Sequence, residues 1–226
     1  MTSEVTPVLV GDKLFYIHTD VLVSSSAFLR NSMKPEWRTD ASEPVDLSDE
    51  DPCVFESYSQ WLYARQIISK ADHADDSLHL ARLYILGEQL IDSVFQDVII
   101  DTFIRHASNS GLVPCAEAVN EIYERTQDNS PARRLMVDLW AFGASPTSPD
   151  VDNVINRFSD DFIGDLFPAL LKRRPEPDNH VLKPWIAQPR IYHCGDDAEK
   201  EVKKPKRIML KVKKPLAKRP LESMSA

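Results

Sequence analysis

The sequence predicts an α+β fold with a small sheet and a helical cluster in front, an all-α extension behind, and a disordered basic tail. Three observations predict it. Two β-favouring runs, VLV and LFYI, flank a Gly-Asp-Lys turn at 11–13. Apolar residues then recur at helical spacing in successive segments. Beyond Arg174 the chain becomes proline-rich and charged, which is typical of disorder.

The front elements follow from local patterns. Pro7 lacks an amide proton, so the first strand should begin after it or lie at an edge. Apolar spacing predicts one helix from His18 to Met33, and PVDL at 44–47 is a candidate short strand. Ser48 is the candidate cap of the next helix. Helical spacing and an aromatic core are expected from Phe15, Phe28, Val54, Phe55, Tyr58, Trp61 and Leu62.

The later segments are helical, separated by a polar connector at 72–77 and a linker at 143–149. Two helices are predicted at 78–90 and 91–105, with Gly111 as the stop. Proline and serine set the remaining starts. Pro114 and Pro131 suit first-turn positions, and Ser130 and Ser159 are the candidate caps. Pro168 predicts a kink or an early end of the last helix, which follows Ser159.

The charge is unevenly distributed along the chain. The formal net charge is −8, yet residues 202–219 hold nine of the 27 basic side chains and no acid. Residues 1–201 hold 34 of the 35 acids and carry a net charge of −16. Because an acidic body is repelled by phosphate, any contact with nucleic acid is expected to be weak and made by the tail.

Cysteine usage and hydropathy narrow the class of protein. Cys53, Cys115 and Cys194 stand far apart without a C-x-x-C motif, so reduced thiols in the cytosol or nucleus are expected. No apolar run approaches the length of a membrane span, so no membrane partner is predicted. The segment MTSEVTPVLV lacks the pattern of a secretory signal.

One segment, FYIHTDVLVSSSAF at 15–28, raises the question of a nucleophile. His18 with Ser24, Ser25 or Ser26 would need a third orienting group and an oxyanion site. The six glycines are scattered singly, so no Gly-rich nucleophile turn or phosphate loop is present. We favour a structural role, in which the imidazole and hydroxyls satisfy backbone groups at a strand–helix junction.

Two segments contain metal-ligand residue types. DHADDSLH at 72–79 holds two histidines and three aspartates, and His193-Cys194 lies in the predicted tail. Neither has a diagnostic ligand spacing, and acidic connectors are usually solvated. No metal or cofactor is therefore predicted, and the chain is expected not to be an enzyme.

Two features point to partners. Trp37 lies in a polar loop, where it either folds back onto the domain or is exposed as a partner contact. The tail is either a solubilising segment, a weak nucleic-acid contact or a nuclear import signal. The candidate import residues are Lys203, Lys204, Lys206 and Arg207.

Several motifs together carry a family resemblance. VLVG is followed by a spacing close to H-x-x-x-L-x-x-x-S-x-x-F, with leucine in the last place, at His18, Leu22, Ser26 and Leu29. VDLSDEDPCVFESYSQWLYARQI at 45–67 includes a W-L-Y motif at Trp61, Leu62 and Tyr63. With the helix pair at 80–104, this pattern resembles the BTB/POZ domain over 5–108. The helices at 109–175 resemble the extension of filamentous-fungal BTB-only proteins, and 176–226 is the predicted tail.

The resemblance implies a helical cluster capped by a small sheet that binds other proteins. Such domains dimerise, bind cullin-type ubiquitin-ligase scaffolds or recruit corepressors. The chain departs from the family at two places. Glu4 or Val5, followed by Pro7, replaces the acid at the start of the first strand, and WRTD at 37–40 replaces an F-x-E-S-type loop. The first departure leaves the standard dimer undecided, and the second alters one edge of the surface that the family uses for cullins.

The sequence therefore favours a non-catalytic adaptor or scaffold, self-associating or linking a client to a cullin-type ligase. The alternative is a nuclear transcription or chromatin regulator whose tail contacts nucleic acid. The expected location is the nucleus, the cytoplasm or both.

Overall fold

The computed structural model describes residues 4–34, 36, 37, 40, 43–67, 75–145, 155–176, 178, 181 and 183–192. The strands are β1 (Val5–Val10), β2 (Lys13–His18) and β3 (Val45–Leu47). The helices are α1 (Thr19–Ser25), α2 (Ala27–Ser32), α3 (Pro52–Ala64), α4 (Asp75–Gln89), α5 (Ser93–Ser110), α6 (Ala116–Arg125), α7 (Pro131–Gly143), α8 (Asp160–Arg173) and α9 (Pro184–Ala187). Short 3₁₀ turns lie at Ile155–Arg157 and Pro189–Tyr192.

This order of elements confirms the predicted α+β class, with one small sheet and many helices. The chain divides into two units, Met1–Arg174 and Pro175–Ala226. Inside the first unit α6 packs against α4, so the front cluster and the following helices share one body. The domain boundary near residue 108 stays a prediction. None of the described helices is both long and apolar enough to cross a bilayer.

The sheet has the order β2-β1-β3, with β1 antiparallel to β2 and parallel to β3. Gly11 makes the hairpin turn at φ 56°, a conformation that favours glycine. The prediction for Pro7 is wrong, because β1 begins at Val5 and is the central strand. The fold tolerates this because β3 pairs only with Val8–Val10, beyond the residue that lacks an amide proton.

The predicted single helix at 18–33 is two helices, because Ser26 adopts an extended conformation (φ −77°, ψ 126°). The Ser26 hydroxyl accepts the Leu29 N–H at 3.0 Å and donates to the Leu90 carbonyl at 2.5 Å. A serine side chain that bonds nearby backbone competes with a continuous helix and favours a cap. The chain therefore turns at Ser26, while Leu22 and Leu29 still reach the core.

The predicted helix starts are confirmed in part. Ser130 and Ser159 are N-caps as predicted. The cap of α3 is Asp51, whose carboxylate accepts the Cys53 N–H at 2.8 Å, whereas Ser48 lies in a turn and donates to Asp46. Asp51 rather than Ser48 is the cap because Pro52, directly after it, has a fixed φ that suits the first helical position.

Three other boundaries differ from prediction. Helix α4 already begins at Asp75, inside the predicted connector. Pro114 precedes the N-cap Cys115, so it lies outside the first turn of α6. Helix α8 continues through Pro168 to Arg173, so the predicted early end is wrong. Residues 176–226 include α9 and one 3₁₀ turn. The other residues predicted to be disordered lie mostly outside the described ranges.

The front core is aromatic, as predicted. Phe55, Tyr58 and Trp61 of α3 are buried, and Phe95 of α5 lies 4.8 Å from both the Tyr58 and Trp61 rings. Phe15 of β2 meets Phe55 edge-on at 5.0 Å. Edge-on and tilted ring pairs add to the free energy gained from burying apolar area.

The rear helices are joined by polar contacts. The Arg133 guanidinium on α7 donates to the Tyr123 carbonyl at 2.7 Å and to the Thr126 carbonyl, so it caps the C-terminus of α6. The Tyr123 hydroxyl donates to Asp165 of α8 at 2.8 Å. The Trp140 indole donates to the Pro114 carbonyl at 3.1 Å.

The loop at 90–92 joins four helices. Its fully buried Asp92 accepts the Tyr58 hydroxyl of α3 at 3.0 Å and caps α5 through the Phe95 N–H. The Leu90 carbonyl accepts from Phe28 of α2 as well as from Ser26. Ile91 has φ 52°, an uncommon value for a β-branched residue.

Replacing Tyr58 by Phe should lower the free energy of unfolding by about 2 kcal/mol, because the buried Asp92 carboxylate loses one of its two donors. Tyr84→Phe is the matched control, since its hydroxyl meets the neutral Ser130 hydroxyl at 3.3 Å. That change should cost about 1 kcal/mol. Urea unfolding measures both, and equal losses would contradict a special role for the Asp92 contact.

Replacing Ile91 by Asn should raise the free energy of unfolding by about 1 kcal/mol, because asparagine tolerates the left-handed conformation. The Ile91 side chain is 61% exposed, so little burial is lost. Val94→Asn, at a 57% exposed position of α5, is the control and should not stabilise. A destabilised Ile91→Asn variant would show that its side chain has a packing role.

Candidate protein-interaction surface

His18 lies where β2 meets α1. Its ring Nδ1 is 2.8 Å from the Tyr63 hydroxyl, which also accepts the His18 backbone N–H at 3.1 Å. The two rings meet edge-on, with centroids 5.8 Å apart. Tyr63 stands near the end of α3, so this contact ties the hairpin to that helix.

The serines that follow His18 make other contacts. Ser24 donates to the Val21 carbonyl at 2.7 Å, and the Arg65 guanidinium donates to Ser24 and Ser25 at 3.2 and 3.4 Å. None of the hydrogen bonds between residues in the described ranges joins His18 to a serine. The geometry is therefore that of a junction held by polar side chains, without a paired nucleophile and base.

The other residues predicted as fold signature lie in the same region of the front cluster. Leu22, Trp61 and Leu62 are buried, and Ser26 is the buried cap of α2. The Arg65 guanidinium covers the Trp61 ring at 4.6 Å. Tyr63 alone among the W-L-Y residues is exposed, at 52%.

The outer side of the hairpin is apolar, and we call it the hairpin face. Strand alternation sends Val8, Val10 and Ile17 into the core, where they are buried. The register places Pro7 opposite Tyr16 and Leu9 opposite Leu14 on the other side. The hairpin face consists of Val5, Pro7, Leu9, Leu14 and Tyr16.

Three side chains of the hairpin face are strongly exposed: Tyr16 by 68%, Leu14 by 48% and Val5 by 45%. Asp46 pairs with Leu9 on the neighbouring β3, and it is exposed. Hydrogen bonds from Ser48 hold the pKa of the Asp46 carboxyl below its usual value, so it is ionised at neutral pH. The hairpin face is thus an apolar surface with a negatively charged edge.

Trp37 is 78% exposed, and its backbone N–H donates to the Lys34 carbonyl at 3.0 Å. Of the two interpretations made from the sequence, exposure agrees with the one in which the indole is available to a partner. A partner contact through Trp37 remains a prediction.

A pair that the sequence did not suggest lies between α3 and α4. The Ser57 hydroxyl and His79 Nε2 are 3.0 Å apart, and burial lowers the pKa of His79 against the opposing charges of Asp76 and Asp51. Ser57 lies mid-helix, where backbone N–H groups are used by the helix, so no oxyanion site is available beside it. Because Ser57 and His79 are 22 residues apart, no local pattern in the sequence indicates this contact, which joins two helices.

The candidate metal and tail residues are placed as follows. Within the described ranges no three His, Cys, Asp or Glu side chains converge as a metal site. Cys53 and Cys115 are free thiols. His73, His193, Cys194 and the candidate import signal at 203–207 lie outside the described residues.

Comparison with known families gives one match. Residues 3–97, less than half of the chain, match the model of the BTB/POZ domain. The match supports the predicted resemblance over these residues, and BTB/POZ domains generally mediate protein–protein interactions and are typically non-catalytic. No curated protein and no solved structure matches the chain. The resemblance of 109–175 to fungal BTB-only proteins stays a prediction.

The buried His79 should make stability depend on pH. Its pKa is lower in the folded chain than in the unfolded chain, so the unfolded chain binds the extra proton first. The contribution is complete above the unfolded pKa of about 6.5 and is lost as pH falls through the folded value.

His79→Gln should therefore show a smaller loss of unfolding free energy between pH 7.5 and pH 5.5 than the wild type, as measured by urea unfolding. His106→Gln on α5 keeps the Ser57 contact and serves as the control. An unchanged pH dependence in His79→Gln would exclude this role.

Proposed function

We propose that the chain is a non-catalytic adaptor whose residues 5–108 bind another polypeptide through the hairpin face. The match of residues 3–97 to the BTB/POZ domain supports a protein-binding role. The observation that carries the proposal is the neighbouring exposure of Leu14, Tyr16 and Val5 on an otherwise packed sheet. Exposed apolar side chains grouped on one face are typical of interaction surfaces.

The negative charge of residues 1–201 favours one kind of partner. Residues 1–201 carry a net charge of −16, and Asp46 lies beside the hairpin face. A partner with an apolar contact flanked by lysine or arginine would be attracted and oriented by this field. Two more specific versions of this proposal are that the chain links a client to a cullin-type ligase, or that it acts as a homodimeric scaffold.

The alternative is a nuclear transcription or chromatin regulator. The nine basic side chains between 202 and 219 favour it, since such clusters serve import or phosphate contact. In this case the location is the nucleus, and the body would bind protein while the tail contacts nucleic acid.

The double variant Leu14→Glu and Tyr16→Glu should abolish capture of the partner without unfolding the chain, because both side chains are exposed. Partners recovered from cell extract by the tagged full chain are identified by mass spectrometry, and the affinity of each purified partner is then measured. Loss of a tyrosine hot spot should weaken binding about 30-fold or more.

Phe142→Glu is the matched control, since Phe142 of α7 is also 68% exposed. It should leave the affinity for the partner unchanged. Equal binding by the hairpin variant would refute docking on the hairpin face. Partner recovery that nuclease treatment abolishes would instead support the nuclear alternative.

A further inference from the structure

Helix α8 has two different apolar sides. Its buried Phe162 meets the rings of Tyr123, Trp140 and Phe158, and this side attaches α8 to α6 and α7. The other apolar group is exposed, with Phe167 at 60%, Leu171 at 50% and Leu170 at 45%. This second group is therefore not needed to hold α8 in place.

Two of these exposed residues, Phe167 and Leu170, belong to a longer stripe, which we call the α8 seam. It consists of Asp160, Ile163, Phe167 and Leu170 of α8, and of Arg174, the C-cap residue whose N–H still donates to the Leu170 carbonyl. Their spacing alternates between three and four residues, which keeps all of them on one flank of a helix. Asp160 and Arg174 are exposed, and Ile163 is half-buried. The seam therefore begins with an acid, ends with a base, and is apolar between them.

The α8 seam is complementary to itself. Phe167 stands midway between Asp160 and Arg174, seven residues from each. If two seams lie antiparallel about a two-fold axis at Phe167, each Asp160 faces Arg174 of the second copy, and the apolar residues face each other. The helix dipoles are then also antiparallel. A parallel pair would place like charges together, so only the antiparallel arrangement fits.

We propose that the chain forms a symmetric dimer in which α8 pairs antiparallel with α8 of a second copy. The seam spans about 21 Å, the length of 14 residues at helical rise. The proposal assigns the homodimeric form of the scaffold named above to a specific surface, which is distinct from the hairpin face and needs no client.

Charge reversal on the full chain tests the pairing. Sedimentation equilibrium from about 1 to 200 µM should show a mass that approaches twice the 25.7 kDa of one chain as concentration rises. Asp160→Arg alone, or Arg174→Asp alone, places like charges at both ends of the dimer. Each should weaken dimerisation about tenfold or more. The double variant restores opposite charges and should recover the wild-type mass.

Two control variants carry the same charge changes off the seam. Asp161→Arg and Lys172→Asp alter exposed neighbours at the same ends of α8, but helical spacing turns both side chains away from the seam. They should leave dimerisation unchanged. Asp160→Arg and Asp161→Arg also remove the same favourable charge from the helix N-terminus, so thermal unfolding at about 1 µM, where the monomer predominates, should shift equally in both.

Four results would overturn the proposal. They are a monomer at the highest concentration, dimerisation indifferent to the single reversals, failure of the double variant to restore it, and equal weakening by the off-seam controls. The Leu14→Glu and Tyr16→Glu variant separates the two proposals, since it should lose the client and keep the dimer. If that variant dissociates the dimer and the charge reversals do not, then self-association takes place on the hairpin face.

Discussion

The buried carboxylate of Asp92 is the constraint on which the front cluster depends. A charge removed from water must be matched by donors, and here the donors come from α3 through Tyr58 and from the first turn of α5. Burial and the nearby negative charge raise the pKa of Tyr58, so its hydroxyl remains a donor. The position of the α4–α5 loop is thereby fixed against α3, and the strained Ile91 is held within it.

The rear helices depend on a comparable arrangement with the opposite charge. The Arg133 guanidinium is nearly buried and uses its planar group of donors on the carbonyls that end α6 and on Asp128. Tyr123, over whose ring the same guanidinium lies at 4.8 Å, carries the connection on to Asp165 of α8. The α8 helix is therefore oriented from its inner side, which leaves its outer flank available.

Local patterns predicted much of the fold because their causes are local. The Gly11 turn, the stop at Gly111 and the caps at Ser130 and Ser159 each depend on a few neighbouring residues. The errors arose where a distant group decides. Ser26 ends a helix because Leu90, 64 residues away, offers a carbonyl. Pro7 is tolerated in a central strand because β3 is short.

The candidate surface was harder to predict for the same reason. Strand alternation places Leu14 and Tyr16 on one face of their strand. The register and the packed structure are needed to show that Pro7 and Leu9 share this face and that it stays open to solvent. The Ser57–His79 contact and the Asp92 cluster join residues far apart in the chain, so no spacing rule identifies them.

The way α2 begins has a consequence for how the molecule opens. This helix has six residues, too few to persist alone, and its first amides are held by carbonyls of Leu90 and Ile91. Its helical structure therefore depends on the loop at 90–92, which comes much later in the sequence. Amide hydrogens of α2 should therefore exchange with solvent only in openings that also release that loop, so the two segments constitute one cooperative unit.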